Sequence, residues 1–172
     1  MTPIAHTASG LLGWQLGGNR KTLRTLVLFV LVSNLPDLDL VFAGILGSRP
    51  LFTHQAYTHN LLFVLAAGLG LSLFLGGGAR GRPAFFLTAL SHFPLDIIVL
   101  DTVPPIGFRL LYPFSAQVFY LGFFPYAEKS RVFSAGNLVT FGLETLFFLL
   151  PVVLLFRKTW FRLLRSPEFW DG

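Results

Sequence analysis

The sequence predicts an all-α fold, a polytopic membrane helical bundle of about five transmembrane helices with a re-entrant or interfacial aromatic segment. Three observations carry that reading. Of 172 residues, 53% are hydrophobic and only 12% charged, against about 25% charged in a soluble domain. The apolar residues fall in runs close to the ~20 that cross a bilayer. The ionisable residues inside those runs crowd one end of the chain: all four histidines and four of the five aspartates lie in the first 101 residues. The chain reads as one integral membrane domain, 1–172, with a polar core in 1–116 and a last span and tail in 137–170.

Each span has its own signature. The first, about 3–18, is short and carries Ala5, Ser9, Gly13 and Gly17 four apart, a small-residue stripe that permits close helix packing. The second, about 22–46, is interrupted at Pro36, and the third, about 58–75, ends in Gly76–Gly78. The fourth, about 83–101, is predicted to open on Pro83, a residue favoured at the first helical position. The fifth covers about 137–156. Between the last two, 106–127 is aromatic and contains Arg109, Pro113 and Pro125. A re-entrant or interfacial hairpin is expected there, because irregular backbone at membrane depth needs protein or a cavity to cover it. The tail, 157–170, alternates basic and aromatic residues and is expected to lie along the headgroups.

Basic residues set the orientation. No Lys or Arg precedes the first apolar run, whereas Arg20, Lys21 and Arg24 follow it, the reverse of a secretory signal. With the N-terminus outside, nine basic residues (Arg20, Lys21, Arg24, Arg80, Arg82, Arg157, Lys158, Arg162, Arg165) lie inside and four (Arg49, Arg109, Lys129, Arg131) outside. At about 1.5 Å per residue, His6, Asp37, His59, His92, Asp96 and Glu144 then all fall in the outer half of the bilayer. The expected location is a prokaryotic cytoplasmic membrane, with the C-terminus cytoplasmic and the site toward the extracytoplasmic face.

Composition excludes several chemistries. There is no cysteine, hence no disulfide, thiolate zinc site or thiol nucleophile. The net charge of +5 comes from short clusters beside apolar runs, as juxtamembrane charges do, so no nucleic-acid partner is expected. No Gly-x-Ser-x-Gly elbow accompanies Ser9, Ser91 or Ser115, and no phosphate-cradling loop precedes a lysine.

What remains are islands of histidine and carboxylate. His92-Phe-Pro-Leu-Asp96 places imidazole and carboxylate at i and i+4 on one helix face. The pair could bind one ion, the carboxylate could orient the ring, or the two could form a buried packing bond. Asn34-Leu-Pro-Asp37-Leu-Asp39 sets two acids two apart after a proline. In a turn both could face a cavity; on a helix one would be a cap and the other a first-turn acid. His54 and His59 are five apart, with Thr58 a candidate cap for the following helix. The seven candidate ligands His6, Asp37, Asp39, His54, His59, His92 and Asp96 exceed one four-coordinate ion. Two ions sharing a bridging carboxylate would use them, with zinc favoured and manganese the alternative. Asp37 and Asp39 are the candidate catalytic carboxylates. Arg109, with Tyr112 nearby, is a candidate for an anionic substrate group or else faces the headgroups.

The series His6, Pro36-Asp-Leu-Asp39, His54 to Thr58-His59, His92-x-x-x-Asp96 and Tyr112-Pro-Phe-Ser115 resembles the YdjM-like, inner-membrane-associated metal-dependent hydrolases, described as LexA-binding in their founding member. The likeness covers roughly residues 1–116 and implies a helical membrane protein with a metal site and hydrolase chemistry. The motif order is also similar to zinc-dependent phospholipase C and related single-strand nucleases. That likeness implies phosphodiester substrates and makes Asp37 a ligand or general base. Gln55 and Asn60 stand where the pattern has Arg and Ser. The phospholipase pattern's further His and His-x-x-x-Glu have no counterpart beyond Glu144.

The expected activity is hydrolysis of phosphoester or lipid-headgroup bonds through a metal-activated water, with membrane lipid as both surroundings and substrate source. The competing expectation is a non-enzymatic metal-binding membrane protein, either a carrier or sensor or a regulatory scaffold. Oligomeric state is not legible.

Overall fold

The computed structural model describes residues 1–17, 20–46, 57–75, 78–99, 106–124 and 134–171. Among these residues the protein is all-helical apart from one irregular aromatic hairpin. His54, Gln55, Asp101, Lys129 and Arg131, which figured in the sequence reading, lie outside the described residues.

Helix α1 (Pro3–Leu16) starts where Thr2 caps it and Pro3 supplies a fixed φ. It is the central element, packed against helices from both ends of the chain. α2 (Leu23–Ser33) opens on a capping box of Thr22 and Thr25. It ends at Asn34, where a 3₁₀ turn (Leu35–Asp37) containing Pro36 leads into α3 (Leu38–Leu46). Together α2 and α3 form a pair bent by 68°. The predicted interruption at Pro36 is therefore a sharp corner, with Asp37 in the turn and Asp39 in the first turn of α3.

α4 (Leu61–Leu75) packs antiparallel to α5 (Gly78–Leu90). Asn60 serves α4, its side-chain oxygen accepting the Phe63 amide at 2.8 Å; Thr58, the expected cap, is used elsewhere. Pro83 lies inside α5 rather than at its start, because α5 begins at Gly78. The predicted helix 83–101 also breaks: Ser91 separates α5 from α6 (His92–Ile97). Pro94 has no amide to give the Leu90 carbonyl, which weakens the helix at that turn.

The small-residue stripe of α1 meets α5. Ser91 Oγ donates to Ser9 Oγ at 3.0 Å, and a Cβ at Gly13 or Gly17 would collide with Thr88 or Ala84. On the other side, a Cβ at Gly10 would lie 2.9 Å from both the Phe29 carbonyl and the Val30 Cα of α2. Trp14, Phe29 and Phe85 fill the core beneath these contacts.

The aromatic segment is a hairpin, not a helix. Phe108 and Phe119 exchange backbone hydrogen bonds at 3.0 and 3.3 Å, while the Leu121, Phe123 and Phe124 amides bond the Ile97 and Ile98 carbonyls at 2.8–3.0 Å. Gly107 turns the chain at φ 70°, with the Phe119 carbonyl only 2.6 Å from where a Cβ would sit. Its buried Phe108 stacks on Phe93.

α7 (Ala135–Glu144) continues through a π turn (Thr145–Leu149) into α8 (Leu150–Leu155). Pro151 explains the widened turn, since it can neither bond the Phe147 carbonyl nor fit close to it. The run Ala135–Leu155 has 21 residues, a mean hydropathy of 2.3 and only 11% of its window buried. Among the described residues it is the one helix long and apolar enough to cross a membrane alone, and the bent α2–α3 pair is a second if taken as one span. Helices α1, α4 and α5, with 14, 15 and 13 residues, fall short of ~20, so these lengths do not show five crossing helices.

The tail forms α9 (Arg157–Leu164) and α10 (Pro167–Trp170) and folds back onto α1. Trp160 stacks on Trp14 at 5.2 Å and Phe169 meets the same ring edge-on. Lys21 lies over that ring as well and donates to the Trp14 and Gln15 carbonyls at the end of α1. Burial lowers its pKa. The α1–α2 contact should tolerate no added methyl: Gly10→Ala is expected to lower stability by about 1–3 kcal/mol, measured by denaturant unfolding in micelles.

Candidate metal centre

Three breaks in helical structure aim four side chains at one point. Asp37 leaves the 3₁₀ turn, His59 precedes α4, and His92 and Asp96 come from the short α6. One ligand atom from each of the four lies within 4.8 Å of every other. His92 Nε2 is 3.1 Å from Asp96 Oδ2 and 3.7 Å from Asp37 Oδ1. His59 Nε2 is 3.2 Å from Asp37 Oδ1 and 3.4 Å from Asp96 Oδ2. The two Nε2 atoms are 3.2 Å apart. Ligand atoms about 2.0–2.2 Å from a tetrahedral ion stand roughly 3.3–3.6 Å from one another, so the four residues fit such an ion with little rearrangement.

The far sides of the rings decide which nitrogens point inward as lone pairs. His92 Nδ1 is 3.0 Å from the Ser33 carbonyl, which can only accept. That nitrogen carries the proton, leaving Nε2 of the neutral ring as an acceptor. His59 Nδ1 is 3.0 Å from Thr58 Oγ1, whose own proton goes to Asp39 Oδ2 at 2.7 Å. Its Nε2 is likewise an inward acceptor. Two imidazole lone pairs and two carboxylates facing one another in a buried pocket form a group that could hold a shared cation. A divalent ion would bring the group to zero net charge.

Asp39 thus stands apart from the other acids. Its Oδ2 is 3.6 Å from the outer nitrogen of His59, so it braces the ring from behind and does not join the four ligands. Asp39, expected as a ligand, lies with its Oδ2 on the outer side of His59 and is not among the four described residues whose ligand atoms converge.

His6 belongs to the cluster on its other face. Its ring stacks on His92 with centroids 3.9 Å apart. Its Nε2 is 3.1 Å from Asp96 Oδ1 and 3.7 Å from Asp37 Oδ2, the carboxylate oxygens that the first group leaves over. The Met1 amine also donates to Asp96 Oδ1. His6 Nδ1 is buried without a hydrogen-bond partner among the described residues. Both aspartates therefore present one oxygen to the His59–His92 side and one to the His6 side.

Arg109 is exposed on the hairpin, and Tyr112 packs edge-on against Tyr57 at 5.7 Å. Tyr112 also lines an apolar groove of about 140 Å³ with Leu61, Leu65, Leu111 and Phe114. The first lining residue of that groove, Leu61, opens α4 two residues after His59. Glu144, fully buried, accepts from the Thr2 amide at 2.8 Å and the Ala5 amide at 3.0 Å. Its contact with the start of α1 had one signal in the sequence, a lone acid inside a long apolar run.

Fold and site together define a helical membrane protein with a buried histidine–aspartate group able to hold a metal ion. The chain belongs to the YdjM inner membrane protein family, whose model matches residues 1–164. That match reaches beyond the motif-bearing 1–116 to include the last long helix and α9. No curated protein and no solved structure matches the chain.

The bracing role of Asp39 is testable. Asp39→Asn should weaken metal affinity about 10–100-fold, whereas Asp96→Asn, which removes a charged ligand, should abolish stoichiometric binding. Titration against a competing chelator distinguishes the two.

Proposed function

We propose that this protein is a membrane-embedded, metal-dependent hydrolase of phosphoester or lipid-headgroup bonds, with its site toward the extracytoplasmic face. The observation that carries the reading is the convergence of Asp37, His59, His92 and Asp96 on one point, with both imidazoles held as acceptors. Zinc is the favoured ion, since the donor set is nitrogen and oxygen in four-coordinate spacing. A second ion, if bound, would be held by His6, Asp37 and Asp96, and would displace the Met1 amine from Asp96. Bound divalent ions supply Lewis acidity and a water that ionises near neutral pH.

The chain's own groups divide the remaining work. Ser33 and the Thr58–Asp39 pair hold the two rings in register. Asp37, the least buried of the four, is the carboxylate available to take a proton from an attacking water. Arg109 would receive an anionic headgroup, and the leucine groove beside Tyr112 a hydrocarbon chain. The five-span topology with the N-terminus outside and C-terminus inside is part of this proposal, supported by the nine-to-four bias of basic residues.

A metal carrier is less well supported. Trp14, Phe29 and Phe85, all essentially inaccessible, occupy the core inward of the site on α1, α2 and α5. A carrier needs polar groups continuing through that region.

Purified protein should contain tightly held zinc or manganese and hydrolyse one member of a panel of phospholipids and polyprenyl phosphates. Chelation should remove the activity and metal should restore it. His92→Ala or Asp37→Asn is expected to cut turnover at least ~10³-fold while leaving membrane insertion intact. Turnover retained in both variants would refute the proposal.

A further inference from the structure

The last long helix leaves Leu138, Val139, Leu146 and Phe147 exposed, yet one face is polar and buried: Asn137, Thr140 and Glu144. Glu144 ends that face, immediately before the π turn. Its Oε1 accepts the Thr2 amide at 2.8 Å, and its Oε2 accepts the Ala5 amide at 3.0 Å and the Thr2 hydroxyl at 2.5 Å. These are three donors from the first turn of α1, whose amides have no partner within the helix. A carboxylate there also meets the positive end of the helix dipole. The residue after Ala5 is His6.

We propose that Glu144 is a positioning residue that sets the register of α1 and thereby holds His6 against Asp37 and Asp96. The inference rests on the two-ion reading above. The chain of contacts is short and continuous: Glu144 fixes the Ala5 amide, the next residue presents Nε2 3.1 Å from Asp96 Oδ1, and its ring lies flat on His92. Without the anchor, the first turn of α1 loses its acceptors and His6 loses its fixed approach. The His59–His92 side is braced from Ser33 and Thr58 instead, so it should survive. Glu144 thus couples the membrane-spanning helix to one ion position and not to the other.

The test uses the full-length protein in micelles, loaded with zinc, with two readouts: ions per chain by elemental analysis, and hydrogen exchange across α1. Wild type should hold two ions with a protected first turn. Glu144→Ala should hold one and exchange the first turn of α1 roughly tenfold faster or more, as expected for losing hydrogen bonds to a charged acceptor. Glu144→Gln keeps one acceptor oxygen and should fall between, which preserves a usable variant if the alanine form misfolds. His6→Ala should lose the same ion while exchange in α1 stays as in wild type. The proposal is overturned if both Glu144 variants keep two ions, or if they lose both ions together. A wild-type protein with one ion would instead overturn the two-ion reading, and that result is seen before any variant is compared.

Discussion

Everything in this structure is organised around the electrostatic cost of two carboxylates and two imidazole lone pairs facing one another away from water. Asp96 is 8% exposed, His59 1% and His92 not at all. At such positions like groups repel strongly and unpaired charge is disfavoured. The protein does not relieve this by separating the groups. It spends other hydrogen bonds on keeping them together: the Ser33 carbonyl on His92, and Thr58 with Asp39 on His59. Such preparation makes physical sense for a centre that a cation completes.

Helix interruptions provide the means. A continuous helix would send Asp37 and Asp39 to different faces with no choice of direction, and would carry His92 onward in line with α5. Instead the corner at Pro36 turns Asp37 inward, and the break at Ser91 reorients the short segment bearing His92 and Asp96. The hairpin then covers α6, donating the Leu121, Phe123 and Phe124 amides to the Ile97 and Ile98 carbonyls at its end. Irregular backbone at this depth survives because it is paired or covered by protein.

Much of the site was legible because helical periodicity is a local property. His92 and Asp96 share a face wherever the helix points, and the observed 3.1 Å contact follows from that spacing. His6, Asp37, His59, His92 and Asp96 stood out as costly polar groups in apolar runs, and the structure brings these five together. That Asp37 and Asp39 reach opposite sides of His59 was not legible, since it depends on the 3₁₀ turn between α2 and α3. Thr58 looked like a helix cap because capping residues and hydrogen-bond relays share the same hydroxyl chemistry; Asn60 took the cap instead. Helix lengths were overread at 83–101 because hydropathy does not register the break at Ser91.

A purely structural role for the cluster would have to meet the cost of its charges by other means. An acid at a helix centre in a bilayer costs about 2.5–3.5 kcal/mol on insertion scales, so Asp37, Asp39 and Asp96 together approach 10 kcal/mol. Among the described cations, the Met1 amine pairs with Asp96, but Arg20, Lys21 and Arg24 lie beyond the far end of α1 and Arg109 is exposed on the hairpin. Bound zinc contributes about 10–16 kcal/mol in small peptide sites, enough to offset the whole group. An ion bound that strongly would leave slowly, and Trp14, Phe29 and Phe85 fill the core beside the site, so residence at one position is favoured over passage.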